Sequence, residues 1–84
     1  MPYIEQTMRY EIDRGSNPRT PGELNYFITK HIHQYMNMKL IGDPINYALL
    51  NEIMGVLECA KSEFWRRYVI PYENEKMKEN GDVY

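Results

Sequence analysis

Apolar residues open the chain at four-residue steps, Ile4, Met8 and Ile12, with Glu5, Arg9, Glu11 and Asp13 between them. That spacing predicts a short amphipathic helix over residues 1–14. Gly15, Ser16, Asn17, Pro18 and Arg19 follow, and this cluster of turn formers reads as a linker over 15–20. Thr20-Pro21-Gly22-Glu23 then carries three helix-start signals: a Thr cap, Pro at the first helical position, and Glu three residues after the cap. Leu24, Phe27, Ile28, His31, Ile32, Tyr35 and Met36 continue on one helical face, and Gly42 marks a stop, so a helix is predicted over 21–38. Gly22 weakens the first turn but lets another group approach the backbone closely.

Asp43-Pro44 repeats the start signal, with the Asp43 carboxylate as cap. Behind it Leu49, Ile53, Val56, Leu57, Ala60, Phe64 and Tyr68 form the longest apolar stripe of the chain, which predicts a helix over 44–69. A weaker stripe, Met54, Lys61, Trp65 and Tyr72, lies on another side of the same helix. One side is expected to pack internally and the other to meet a partner. Pro71 should kink or restart the helix. A polar C-terminal segment and tail, 71–84, then closes through Asn80-Gly81. The expected fold is an all-α single domain over 1–84. It is a small bundle or hairpin of two long helices with a short N-terminal helix and a kinked C-terminal segment, held as an oligomer.

Composition sharpens that expectation. At 84 residues, folding removes only about 60% of the unfolded chain's surface from water, so a deep private active site is not expected. The single cysteine cannot form an internal disulfide, and no Cys and His set supplies a structural zinc. Long packed helices or self-association must then supply the stability. A net charge of -2 argues against bulk binding to nucleic acid. No apolar run approaches the roughly 20 residues of a bilayer span, and the polar start lacks a signal-peptide pattern, so a cytoplasmic protein without a membrane partner is expected. Eight tyrosines and six methionines suit interfaces and ligand pockets as well as cores.

The residues offer little for catalysis. His31 and His33 point roughly 200° apart on a helix and cannot share a metal, which predicts a core-edge His31 and a solvated His33. Cys59 lacks a basic sequence neighbour and reads as a buried, inert thiol. Glu52, Glu58 and Glu63 alternate with Lys61, Arg66 and Arg67 at helical pair spacings, Glu63 and Arg67 being four apart. This is a solvated charged face. No catalytic residue, metal or cofactor is expected, and the chain reads as a non-enzyme.

Two places could bind a ligand. Trp65-Arg66-Arg67-Tyr68 sets guanidinium groups that take phosphate beside rings on which a base stacks. Arg66 and Arg67 diverge by about 100° on an α-helix, so a single chain would not aim both at one ligand unless the arginines bent around, whereas two chains meeting along this helix could do so. Ion pairs to Glu63 and the acidic last segment are the plainer account. The start of the 21–38 helix offers free N–H groups with Asn25, Tyr26, Thr29 and Lys30 nearby. Capping already explains Thr20 and Glu23 there, and the Glu23 carboxylate would repel a phosphate. The candidate ligand-binding residues are Asn25, Tyr26, Lys30, Trp65, Arg66 and Arg67.

The stretches Thr20-Pro-Gly-Glu-Leu-Asn-Tyr26, Asn51-Glu-Ile-Met-Gly-Val-Leu-Glu-Cys-Ala-Lys61, Arg66-Arg67, Pro71-Tyr72-Glu73 and Glu79-Asn-Gly-Asp-Val-Tyr84 resemble a family of small uncharacterised proteins encoded by phages and prokaryotes. The resemblance runs from Thr20 to the terminus and implies a phage-type origin, hence the host cytoplasm, without transferring any catalytic residue. By analogy of size and style, small phage-encoded helical oligomers include sponges, which bind cyclic or ADP-ribose-derived nucleotide signals of bacterial immunity without cleaving them. That analogy implies a homo-oligomer with pockets between subunits, where Arg66, Arg67 and Lys30 meet phosphates and Tyr26 or Trp65 stacks a base. The alternative is a protein-binding adaptor or inhibitor of a host or phage protein, using the Met54 and Trp65 side and the acidic tail.

Overall fold

The computed structural model describes residues 4–84, so the part of the first predicted helix on 1–3 lies outside the described residues. The order is α1 (Gln6–Asp13), α2 (Pro21–Leu40), α3 (Tyr47–Phe64), a π-helical stretch (Trp65–Val69) and α4 (Ile70–Asn80), with no strand among the described residues. The all-α class is therefore as predicted. The chain falls into two units, Met1–Ile45 and Asn46–Tyr84.

In the first unit, α1 packs on α2 around the buried Ile12, with Ile4, Met8 and Phe27 half-buried. The chain enters α1 with the Ile4 carbonyl accepting from Arg9 Nε at 3.0 Å. Thr20 caps α2, its Oγ1 accepting from the Glu23 N–H at 3.1 Å. The reciprocal arm differs from the usual box: the Glu23 carboxylate accepts from the backbone N–H of Arg19, one residue before the cap, at 3.1 Å. Glu23 is buried there. A Cβ on Gly22 would stand 3.1 Å from Ile4 Cγ2, so the close approach that glycine permits is made by the chain's own Ile4.

α2 runs two residues past the predicted end, to Leu40, before Gly42 turns the chain at φ 83°. The Asp43 N–H then donates to the Leu40 carbonyl at 2.7 Å. The predicted start of the next helix is corrected three residues on. Asp43 belongs to the turn that ends α2, residues 44–46 are not helical, and the cap falls to Asn46. Asn46 is extended, and its Oδ1 accepts from the Leu49 N–H at 2.9 Å. α3 thus begins at Tyr47 rather than at Pro44.

Pro71 does not end the helix. It has no N–H, and in an α-helix its ring would strike the carbonyl of Arg67 four residues back. The chain widens the preceding turn instead: the Ile70 N–H donates to the Trp65 carbonyl, five residues back, and helix continues through Asn80 to Gly81 at φ 84°. Among residues 46–84 only Leu49 is buried. The expectation that one side of this helix packs internally is not met along its length, because Phe64 and Tyr68 of the main stripe are as open as Met54, Trp65 and Tyr72 of the weaker one. Cys59 is exposed too, which corrects its reading as a buried thiol.

Candidate functional site

Tyr26 and Lys30 lie four residues apart on α2 and reach the same carboxylate. The Tyr26 hydroxyl donates to Asp13 at 2.9 and 3.0 Å, and Lys30 Nζ stands 3.9 Å from Asp13 Oδ2. Asp13 is the last residue of α1, so the two side chains tie one helix to the other. Loss of water around Tyr26, then its hydrogen bond to Asp13 and that group's negative charge, push its pKa above the usual tyrosine value, with Arg9 acting in the opposite sense. The hydroxyl stays a donor at neutral pH. Asn25 is exposed on the next position of α2.

A cleft of about 220 Å³ beside this tie is lined by Ile12, Asp13, Phe27, Lys30, His31 and Gln34. It falls below the roughly 300–1,000 Å³ of small-molecule sites and is too small for a nucleotide. His31 is exposed rather than at a core edge, and His33 is exposed as expected. The His31 ring leans on Phe27, centroids 4.3 Å apart, with Nδ1 2.9 Å from the Phe27 carbonyl. Since a carbonyl only accepts, Nδ1 carries the proton. At the start of α2 the buried Glu23 carboxylate and the Ile4 side chain occupy the ground an anion would need.

Trp65, Arg66 and Arg67 all fall in the π-helical stretch. Arg67 Nε donates to Glu63 Oε1 at 2.8 Å, and Arg66 Nη2 donates to Glu63 Oε2. The Glu63–Arg67 pair is the one the spacing predicted. The Arg66 arm is the ion pair to Glu63 that the plainer account of these arginines named. Positions three and four after Glu63 both border it on a helix, so two adjacent arginines of a single chain converge on one carboxylate, each side chain being long enough to bend toward it. Both guanidinium groups remain largely exposed, so each ion pair is worth only about 0–1 kcal/mol and exchanges readily with another anion. Trp65 is open beside them, and the Tyr68 ring stacks on Phe64 with centroids 5.3 Å apart.

Asp13 and Glu63 are the two residues that organise these groups, and neither was a predicted site residue. The i,i+4 spacing held part of the signal for Glu63. Nothing in the sequence links Asp13 to α2. Among the described residues no group of three or more His, Cys, Asp or Glu could hold a metal ion, and no described helix is long and apolar enough to cross a membrane. The family model for a domain of unknown function, DUF6899, matches residues 1–83. No curated protein and no solved structure matches the chain.

Proposed function

The chain belongs to the DUF6899 family, whose domain carries no assigned function, and from its own residues we propose that it is a non-enzymatic binding protein. It sequesters a nucleotide-derived ligand, cyclic or of ADP-ribose type, and works as a homo-oligomer in the cytoplasm of the host of a phage. The observation that carries this reading is the convergence of Arg66 and Arg67 on one carboxylate beside the open indole of Trp65. Glu63 stands where a phosphate oxygen pair would be held, since a carboxylate and a phosphodiester present the same two-oxygen edge to a guanidinium. Displacing it costs little at an exposed position, while indole stacking on a base contributes about 1–3 kcal/mol. Tyr26 and Lys30, tied to Asp13, leave most of the ligand contact to Arg66, Arg67 and Trp65, with Asn25 as an open amide.

The full chain should gain about 10 °C or more in melting temperature at a hundredfold excess of its ligand over Kd, in a panel of cyclic dinucleotides and cyclic ADP-ribose species. The ligand should be recovered intact after denaturation. Arg66→Ala with Arg67→Ala should remove the gain. No gain across the panel overturns the reading.

A second reading, a protein-binding adaptor, is favoured by the open Met54, Trp65 and Tyr72. It requires that Trp65→Ala abolish capture of a defined host or phage protein while the chain's solution mass stays unchanged.

A further inference from the structure

Val56, Ala60, Phe64, Tyr68 and Tyr72 follow one another at strict four-residue steps. In an α-helix each such step drifts by about 40°, so three rings in a row would wind around the axis. The π-helical stretch lies between Phe64 and Tyr68 and takes back part of that drift. The stacked rings of Phe64 and Tyr68, at 29° between planes, record the alignment. The result is one ridge, bulky at Phe64, Tyr68 and Tyr72 and low at Ala60 and Val56.

The ridge is open. Phe64 is 61% exposed, Tyr68 67% and Tyr72 64%, with Val56 exposed on the same side. Three aromatic side chains of about 200 Å² each, uncovered to this degree, bring the ridge to roughly 500 Å² with Val56 included. That lies in the upper part of the roughly 300–600 Å² of the largest apolar patch on a typical monomer, a size that often marks a contact surface.

We infer that this face is covered by the same face of a second copy running antiparallel, each Phe64 seated over the other copy's Ala60 and each Tyr68 over its Val56. The ridge is self-complementary only in that sense. Turning it end for end lays the bulky half on the low half about a two-fold axis between positions 60 and 64. A parallel pair would set ring against ring at Phe64 and leave a void between two Ala60 methyls. The π turn is then the device that keeps Tyr68 in the seam, and the same two-fold sets Tyr72 opposite Glu52 at its edge. This deepens the homo-oligomer part of the reading above and rests on it, but needs no nucleotide.

Sedimentation of the full chain at high micromolar concentration should give a dimer or an even multiple of it. Phe64→Asp should give monomer with its helical circular dichroism retained. Ala60→Phe, which fills the recess, should weaken association about tenfold. In a Cys59→Ser background, a chain with Ala60→Cys should form a disulfide with a chain carrying Phe64→Cys and not with itself. A monomeric wild type, a Phe64→Asp chain that still dimerises, or self-crosslinking through Ala60→Cys each overturns the inference. A dimer without any ligand-induced melting shift leaves the seam standing and overturns the nucleotide reading alone.

Discussion

α2 and α3 begin alike and end up in different surroundings. Each starts on an extended residue whose side chain accepts a backbone N–H three positions on, Thr20 from Glu23 and Asn46 from Leu49. In the first unit the polar bonds then cross between elements: Arg19 reaches Glu11 at 3.3 Å and Glu23 at 3.6 Å, and Asp13 receives Tyr26 and Lys30. In the second, the ion pairs run along the helix itself, Glu58 with Lys61, Glu63 with Arg66 and Arg67, Glu75 with Lys78 and Lys76 with Glu79. Bonds that cross fix a tertiary arrangement, whereas bonds along a helix only support the helix. The first unit carries its own packing instructions, and the second presents a helix whose aromatic face is left open.

The largest test of this contrast is a pair of truncations. Ile12→Ala should cost about 2–4 kcal/mol in urea unfolding followed by amide exchange in α2, because the site is buried between α1 and α2. Tyr68→Ala should stay within about 0.5 kcal/mol at concentrations where the chain is monomeric, since its ring is open. Comparable losses at both sites would break the comparison.

Glycine gives a smaller and cleaner test. A Cβ at Gly55, inside α3, meets nothing within 4 Å, so Gly55→Ala should gain about 1 kcal/mol of helix stability. The same change at Gly22 meets Ile4 Cγ2 at 3.1 Å and should gain less, measured by the melting temperatures of the two variants. Equal gains would mean that Ile4 does not hold its place against α2.

The smallest effect is a pH dependence. Tyr26 has a raised pKa in the folded chain, so its contribution is complete below the unfolded value of about 10 and is lost as pH rises through the folded value, when phenolate meets the Asp13 carboxylate. Tyr26→Phe should remove that alkaline loss of melting temperature. At neutral pH it should cost less than about 1 kcal/mol, because the hydrogen bond is partly solvated.

These contrasts also mark what could be read from the residues beforehand. Thr20, Pro21 and Glu23 announced α2 because capping is local chemistry, complete within four positions. Asp43-Pro44 carried a similar start signal and misled, because residues 44–46 stay outside the helix and the Asn46 side chain makes the capping bond to Leu49. The all-α class followed from periodicity, yet the openness of Phe64 and Tyr68 did not, since an apolar stripe says that a face needs covering without saying by what. The pairing of Arg66 and Arg67 with Glu63 was legible in their three- and four-residue spacings, while the change of winding around them was not. Pro71, five residues after Arg66, was the available sign that the winding would change. Asp13 could not have been found from spacing, since its tie to Tyr26 spans the linker.

The widened turn ahead of Pro71 has one more consequence. A helix that has absorbed an extra residue can give it back without a break in the chain's course. Removing one residue within Trp65–Val69 would close the turn to ordinary α-helical winding and leave α4 pointing nearly as before, but the proline would then meet the carbonyl four residues back. The extra residue is thus what lets a proline sit in the path of a continuous helix.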